Sequence, residues 1–268
     1  MFSLPGAWGH STVVTRKRVS AFHPHDYMNI DVSFDFRIDT PEGGDPDIRS
    51  PTLRRYHRHL WSKVLPDGAP FELVMSTPQA YLHHRSAKGE FVLSSDSVIP
   101  TFTRAARIAH ITQRIPADER AEFNRRAYTI GAMMVFPANR VGGKMTINGA
   151  RGCHPRIKDR FDLTVECIQR HYLGADSPLV DVVARYTAFF SLFRDFRGYV
   201  DFFHLQDLVT ADYSAVRHFL PFDGFHPWPL PDSDDAYRVY KRNAEAFIAK
   251  RNSRIAQHVL GHDRCGIS

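Results

Sequence analysis

Apolar and polar positions alternate from Ile30 to Ile38, where Ile30, Val32, Phe34, Phe36 and Ile38 are separated by Asp31, Ser33, Asp35 and Arg37. A period of two is the mark of a strand with one buried face, so this segment predicts a first strand. Short apolar runs over 71–75, 81–84 and 89–93 predict three more, the last two joined by a turn at Lys88-Gly89. The spacing changes to three and four after Ser50-Pro51. Leu53, Tyr56, Leu60 and Trp61 then form one stripe, while Arg54, Arg55, Arg58 and His59 form a basic outer one. That predicts a helix to about Trp61, with Ser50 as N-cap and Pro51 at its first position. Residues 104–114 and 116–126 read as helices divided at Pro116; for 128–136, periodicity leaves a buried strand and a helix continuation both open.

From Ser177 onward the pattern is mainly helical. Ser177-Pro178 repeats the cap-plus-proline start, and Leu179, Val182, Val183, Tyr186, Phe189, Phe190 and Phe193 give a broad apolar face, which predicts a helix at the centre of the core. Phe202, Phe203, Leu205 and Leu208 suit core packing, and the proline-broken stretch 219–231 reads as a loop held down by its aromatics. A last helix from Asp234 to about His258 turns Tyr237, Tyr240, Ala244, Phe247, Ile248 and Ile255 inward and Arg238, Lys241, Arg242, Lys250, Arg251 and Arg254 largely outward. The fold class expected is α+β: a small, mostly antiparallel sheet from the first half packed against a mainly helical second half. One domain over 29–260 is expected, after an irregular segment 1–28 and before a tail 261–268. No linker-like tract or internal repeat interrupts it.

Glycines, cations and a helix start coincide between Gly142 and Tyr172. Gly142, Gly143, Gly149 and Gly152 allow tight turns and close approach to a ligand. Lys144 to Asn148 suits a brief strand, and Arg151, Arg156, Lys158 and Arg160 gather charge at the next element. Phe161, Val165, Ile168 and Tyr172 fall on one face of a helix, with Asp159 as N-cap and Asp162 in the first turn. Unpaired N–H groups at such a start attract phosphate or carboxylate. Arg151, Arg156 and Lys144 would hold the anion, beside Gly152; Asn148 and Thr146 would orient it, and Asp159, Asp162 or Glu166 would supply acid–base chemistry. The P-loop pattern is absent. In the plainer reading the two aspartates complement the helix start, the cations are solvated and the glycines only turn the chain.

Other groups carry weaker signals. The acidic loop 39–47 offers carboxylates for a metal or a general base, but it has no EF-hand pattern, and Asp and Gly serve loops locally. Ser94-Ser95-Asp96-Ser97 lacks a nucleophile elbow and reads better as the cap of a following helix. His57 beside the Leu53 stripe is more simply a packed histidine than a base. No metal site is expected and no cofactor is named.

Composition narrows the partners. A formal charge of +6 and a pI near 9.3 favour anions, yet Lys and Arg are spread along the chain. A nucleic-acid-binding protein using the basic faces of the Ser50 and C-terminal helices is therefore the alternative to a receptor or enzyme for a phosphate-bearing small molecule such as a nucleotide; a structural or partner-binding module is the third. Cys153, Cys167 and Cys265 are odd in number and lack metal spacing, which suits a reducing cytoplasm. No apolar run is long enough to predict a membrane span.

The blocks DPDIRSPTLRRYHRHLWSKVLPDG, YLHHRSAKGEFVLSSDSVI, TINGARG, IKDRFDLTVECIQRHY and SPLVDVVARYTAFFSLFRDFRGYVDFFHLQDLV together resemble a family of uncharacterised bacterial proteins catalogued only as a domain of unknown function. The likeness covers most of residues 30–255 and brings no activity or catalytic residues with it.

Overall fold

The computed structural model describes residues 29–75 and 82–265. The irregular segment expected over 1–28, the strand start at Tyr81 and the end of the tail, 266–268, lie outside them.

Residues 30–38 are not a strand but a succession of turns. Asp31 Oδ1 accepts the Ser33 N–H at 2.9 Å, and Asp35 Oδ1 accepts that of Arg37 at 3.0 Å. Short acidic side chains thus take the backbone donors that a ladder needs. Ile30 and Phe36 still reach the core, while Ile38 stays 74% exposed. The acidic loop ends in a single-turn helix α1 (Pro46–Arg49), capped by Asp45. It leads to α2 (Pro51–Trp61), where the Ser50 hydroxyl accepts the Leu53 N–H and Asp39 accepts that of Thr52 at 2.9 Å. Arg54, expected outside, is buried.

Two short strands follow, β1 (Lys63–Val64) and β2 (Pro70–Phe71), so the strand expected over 71–75 shrinks to Phe71 and an isolated bridge at Val74. The main sheet is antiparallel, ordered β3 (Leu82–Ser86), β4 (Gly89–Ser97), β5 (Met133–Pro137). Ser94 to Ser97 extend β4 and cap nothing, which corrects their expected role. Between β4 and β5 lie α3 (Ala109–Thr112) and α4 (Ala117–Arg126). The undecided 128–136 run is a short 3-10 turn, Ile130–Ala132, entering β5, whose residues are all buried. A strand buried on both faces loses its alternation, which is why periodicity could not settle it.

The second half is helical: α5 (Ile147–Cys153), α6 (Phe161–Tyr172), α7 (Val180–Ala184), α8 (Thr187–Ser191), α9 (Phe196–Phe202) and α10 (Asp234–Cys265). The strand expected over Lys144–Asn148 is absent; Thr146 caps α5 and Asn148 lies inside it. The single helix expected after Ser177 is broken into α7 and α8 at Arg185-Tyr186, in a run of β-branched and aromatic residues of modest helix propensity. Its apolar face is nevertheless buried as expected, apart from the partly buried Val182.

Helix α10 closes the core against Ile130–Ala132. A Cβ on Gly131 would lie 2.6 Å from both Asn252 Oδ1 and the Ile248 carbonyl, so only glycine permits this approach. Arg251, expected outward, is fully buried and donates to the carbonyls of Gly131, Met133 and Phe203 at 3.1, 2.7 and 3.2 Å. Among the described residues, no helix is long and apolar enough to cross a membrane.

Candidate functional site

The Gly/Arg stretch folds so that its central cation turns inward. Arg151 is fully buried, and four hydrogen bonds and an ion pair to Asp159 surround its guanidinium. Nη1 meets Asp96 at 2.9 Å and Asp159 Oδ1 at 2.6 Å, Nη2 meets the carbonyls of Val98 and Asp159 at 3.1 and 2.6 Å, and Nε meets Thr164 at 3.4 Å. Nothing is left for a ligand, so Arg151 positions the two carboxylates. Lys144 and Arg156 are exposed. Thr146 is occupied as the α5 cap, accepting the Gly149 N–H at 3.3 Å, and Gly152 lies beside Asp159, whose Oδ1 would be 3.8 Å from a Cβ there. Gly142 and Gly143 take left-handed φ of 60° and 71° with open space around them, as turn residues do.

The start of α6 offers no anion site. Phe161, Asp162 and Leu163 are buried, and the cap position is Arg160, not Asp159, which has a left-handed φ of 68°. Asp162 pairs with Arg160 through both oxygens and accepts the Phe219 N–H at 2.9 Å, pinning the 219–231 loop; Arg160 also donates to the Pro229 carbonyl at 2.9 Å. Glu166 pairs with Arg170 at 2.8 Å and lies 3.7 Å from His218. Neither Asp162 nor Glu166 shares a hydrogen bond or ion pair with Arg151, Asp96 or Asp159.

What the fold brings together instead are three stretches that stood apart in the sequence. Among the described residues β3 pairs with β4 from Gly89 to Leu93, and α1 lies against β4. This sets Asp47 of the acidic loop against Ser95 and close to Asp96 and Asp45. From the other side α5 brings Asn148, which donates to Ser94 at 3.3 Å, and Arg151 with Asp159. Behind Ser95 sits buried His57, whose Nε2 is 2.7 Å from the Ser95 hydroxyl and whose Nδ1 is 2.9 Å from Trp61 Nε1. An indole N–H can only donate, so Nδ1 is the acceptor and the neutral ring carries its proton on Nε2. Burial, with Arg251 and Arg54 nearby, pushes His57 down to about 3 and keeps it neutral. His57 therefore donates to Ser95, whose hydroxyl lies close enough to Asp47 to influence its carboxyl. The order runs opposite to that of a serine nucleophile, whose histidine must accept.

The carboxyls at the end of this relay hold protons unusually well. Burial, reinforced by Asp96 and Asp45, raises Asp47 well above the carboxylate range. Asp96 is raised to about 6, chiefly by burial, with Arg151 pulling the other way. Its side chain keeps 31% of its surface in solvent, which tempers that rise and makes it the accessible member of the pair. Two acceptor oxygens, Asp47 Oδ1 and Asn148 Oδ1, are shut off from solvent without a hydrogen-bond partner among the described residues. A buried acceptor left unpaired costs about 1–3 kcal/mol, and this cluster holds two. Among the described residues no group of His, Cys, Asp and Glu is arranged to hold a metal ion.

A family model described as a family of unknown function (DUF6994) matches residues 30–255. The chain belongs to that family. No curated protein and no solved structure matches it. In this DUF6994 chain the matched span takes in the whole cluster from Asp45 to Asp159. Asp47 and Asp96 were visible in the sequence only as members of an acidic loop and a serine-rich stretch. A local pattern records no contact between residues about fifty positions apart in the chain.

Proposed function

We propose that the protein binds, and acts on, a small hydroxyl-bearing ligand of the nucleotide or sugar class by general acid–base chemistry at Asp47 and Asp96. The observation that carries this reading is the pair of unpartnered buried acceptors, Asp47 Oδ1 and Asn148 Oδ1, beside two carboxyls that titrate above their ordinary range. Hydroxyl groups of a ligand would satisfy the acceptors once a local shift of α1 or α5 uncovers them. Asp47, whose burial beside Asp96 and Asp45 favours the protonated form, is the proton donor, and Asp96, ionised above about 6, accepts one. Arg151 fixes Asp96 and Asp159, and the Trp61–His57–Ser95 relay fixes Asp47. A phosphate on the same ligand would meet the exposed Arg156 and Lys144 of this loop, not Arg151. A reducing cytoplasm suits the free Cys153 and Cys167.

A broad nucleic-acid surface has less support. Arg54 and Arg251 are buried, Arg254 is held by Asp207 at 2.6 Å, and Lys241 lies 3.6 Å from Glu119, so the basic stripes of α2 and α10 are interrupted.

Thermal melts against a panel of nucleotides, sugars and sugar phosphates test the reading. At least one compound should stabilise the wild-type protein, and Asp96→Asn should abolish that shift. Asp47→Asn should also lose the response while melting no lower than wild type, because it removes a desolvated acid but keeps an acceptor for Ser95. A panel without a responding compound, or a response that survives Asp96→Asn, overturns the proposal.

A further inference from the structure

Away from that cluster, a cleft of about 240 Å³ opens between the Gln206–Leu208 turn, residues 217–219 and the middle of α10. Its apolar lining is Leu208, Phe219 and Phe247, all buried in the core. The Asn243 side chain donates to the Phe219 carbonyl at 3.0 Å and ties the two walls together. A bridge between Val209 and Val216, with the Arg217 N–H on the Leu208 carbonyl at 2.7 Å, holds the opposite wall in shape.

The charge on this cleft is unbalanced. Arg217 and Lys250 line it, both exposed, and neither forms an ion pair with any described residue. The carboxylate on the lining, Asp207, is already neutralised by Arg254, which reaches its two oxygens at 2.6 and 3.2 Å. His218 is also on the lining, and burial lowers its pKa and favours the neutral ring. Two positive charges therefore line the cleft without a paired counter-charge among the described residues. Other cations of α10 differ: Arg238 and Lys241 approach Glu119, and Arg251 is buried among carbonyls.

We infer that this cleft binds a small phosphate monoester carrying a compact apolar body. A phosphate monoester bears about −1.5 to −2 charges at neutral pH and so matches two cations, where a carboxylate supplies only one charge. The planar guanidinium of Arg217 suits two phosphate oxygens at once, Lys250 adds a point charge, and the body of the ligand rests on the exposed Ala246 and the residual edges of Phe219 and Phe247. The inference is independent of the acid–base reading, since it uses none of the same residues.

Phenyl phosphate, titrated calorimetrically into the full chain, is the test, with benzoate and inorganic phosphate as comparisons. Phenyl phosphate should bind, and the two comparison anions should bind at least about tenfold more weakly, because one lacks the second charge and the other the apolar body. The double variant Arg217→Gln/Lys250→Gln should melt as wild type does, its sites being exposed, and should bind phenyl phosphate at least about tenfold more weakly. Arg104→Gln/Arg140→Gln, which removes the same net charge from exposed positions elsewhere, should leave binding unchanged, as should Asp96→Asn. Absence of binding to wild type overturns the inference. So does benzoate or inorganic phosphate binding as tightly, equal weakening in the charge control, or loss of binding in Asp96→Asn.

Discussion

Arg251 and Arg254 sit three residues apart on one helix and were both expected on its outer face. Arg254 is solvent-facing and pairs with Asp207; Arg251 is buried, pushed down to about 9 by desolvation, and serves three carbonyls of the Ile130–Met133 and α9 ends. Arg251→Met should lower stability by more than about 3 kcal/mol, because it strands buried carbonyls that each cost about 1–3 kcal/mol unpaired. Arg254→Met should cost less than about 1 kcal/mol, the usual worth of an exposed pair. Denaturant melts of the two variants compare them directly, and equal losses would refute the assigned roles. The same inward turn of a long cation explains Arg151. Side-chain identity predicts solubility on average, but partners supplied by distant strands decide the individual case.

Among the elements, one helix start was legible in full, while the caps expected at Asp159 and Ser177 fall instead on Arg160 and Leu179. Ser50 caps α2 with Pro51 inside the first turn, because the capping bond joins residues three apart and so is written locally. The α6 helix and the β3–β4 hairpin followed their patterns for the same reason. The Ile30–Ile38 strand failed because a period-two pattern describes side chains, whereas Asp31 and Asp35 had already claimed backbone donors. Docking between elements was not legible at all. Gly131 looked like an ordinary member of an apolar run, yet it admits α10 to within contact of the chain entering β5. Gly131→Ala should destabilise the protein by about 1–3 kcal/mol through overpacking, and Asn252→Ala placed on top of it should recover part of the loss by removing one of the two clashing groups. Thermal melts of the single and double variants read this out; a neutral Gly131→Ala would show that the approach is loose.

Across the whole molecule, buried ionisable groups make stability depend on pH. Lys63 lies over the rings of Trp61 and Phe202 at 5.2 and 4.5 Å, donates to the Phe202 carbonyl and sits beside His204. Burial and the nearby Arg251 push it down to about 7 from an ordinary value of 10.5. Between those values the unfolded chain carries the proton and the folded one does not, so stability rises with pH. From pH 7 to 9 the gain should approach, at most, about 1.4 kcal/mol per pH unit, the worth of one proton. Urea melts of Lys63→Met should show a flatter profile over that range; an unchanged slope would place its origin elsewhere.

The α+β class, the Ser50 cap of α2, the hairpin and the apolar faces of α6 and α10 were determined by the sequence alone, because periodicity and a capping bond three residues long act locally. So was the choice of chemically interesting stretches, the acidic loop, the serine-rich strand end and the Gly/Arg loop. Tertiary structure decided what those stretches do. By burying Arg151 between Asp96 and Asp159 it turned an apparent anion site into a scaffold for carboxylates, and by laying α1 on β4 it placed Asp47 beside them. Desolvation and charge pairing depend on distances in space, and chain order leaves these unspecified until the core has closed.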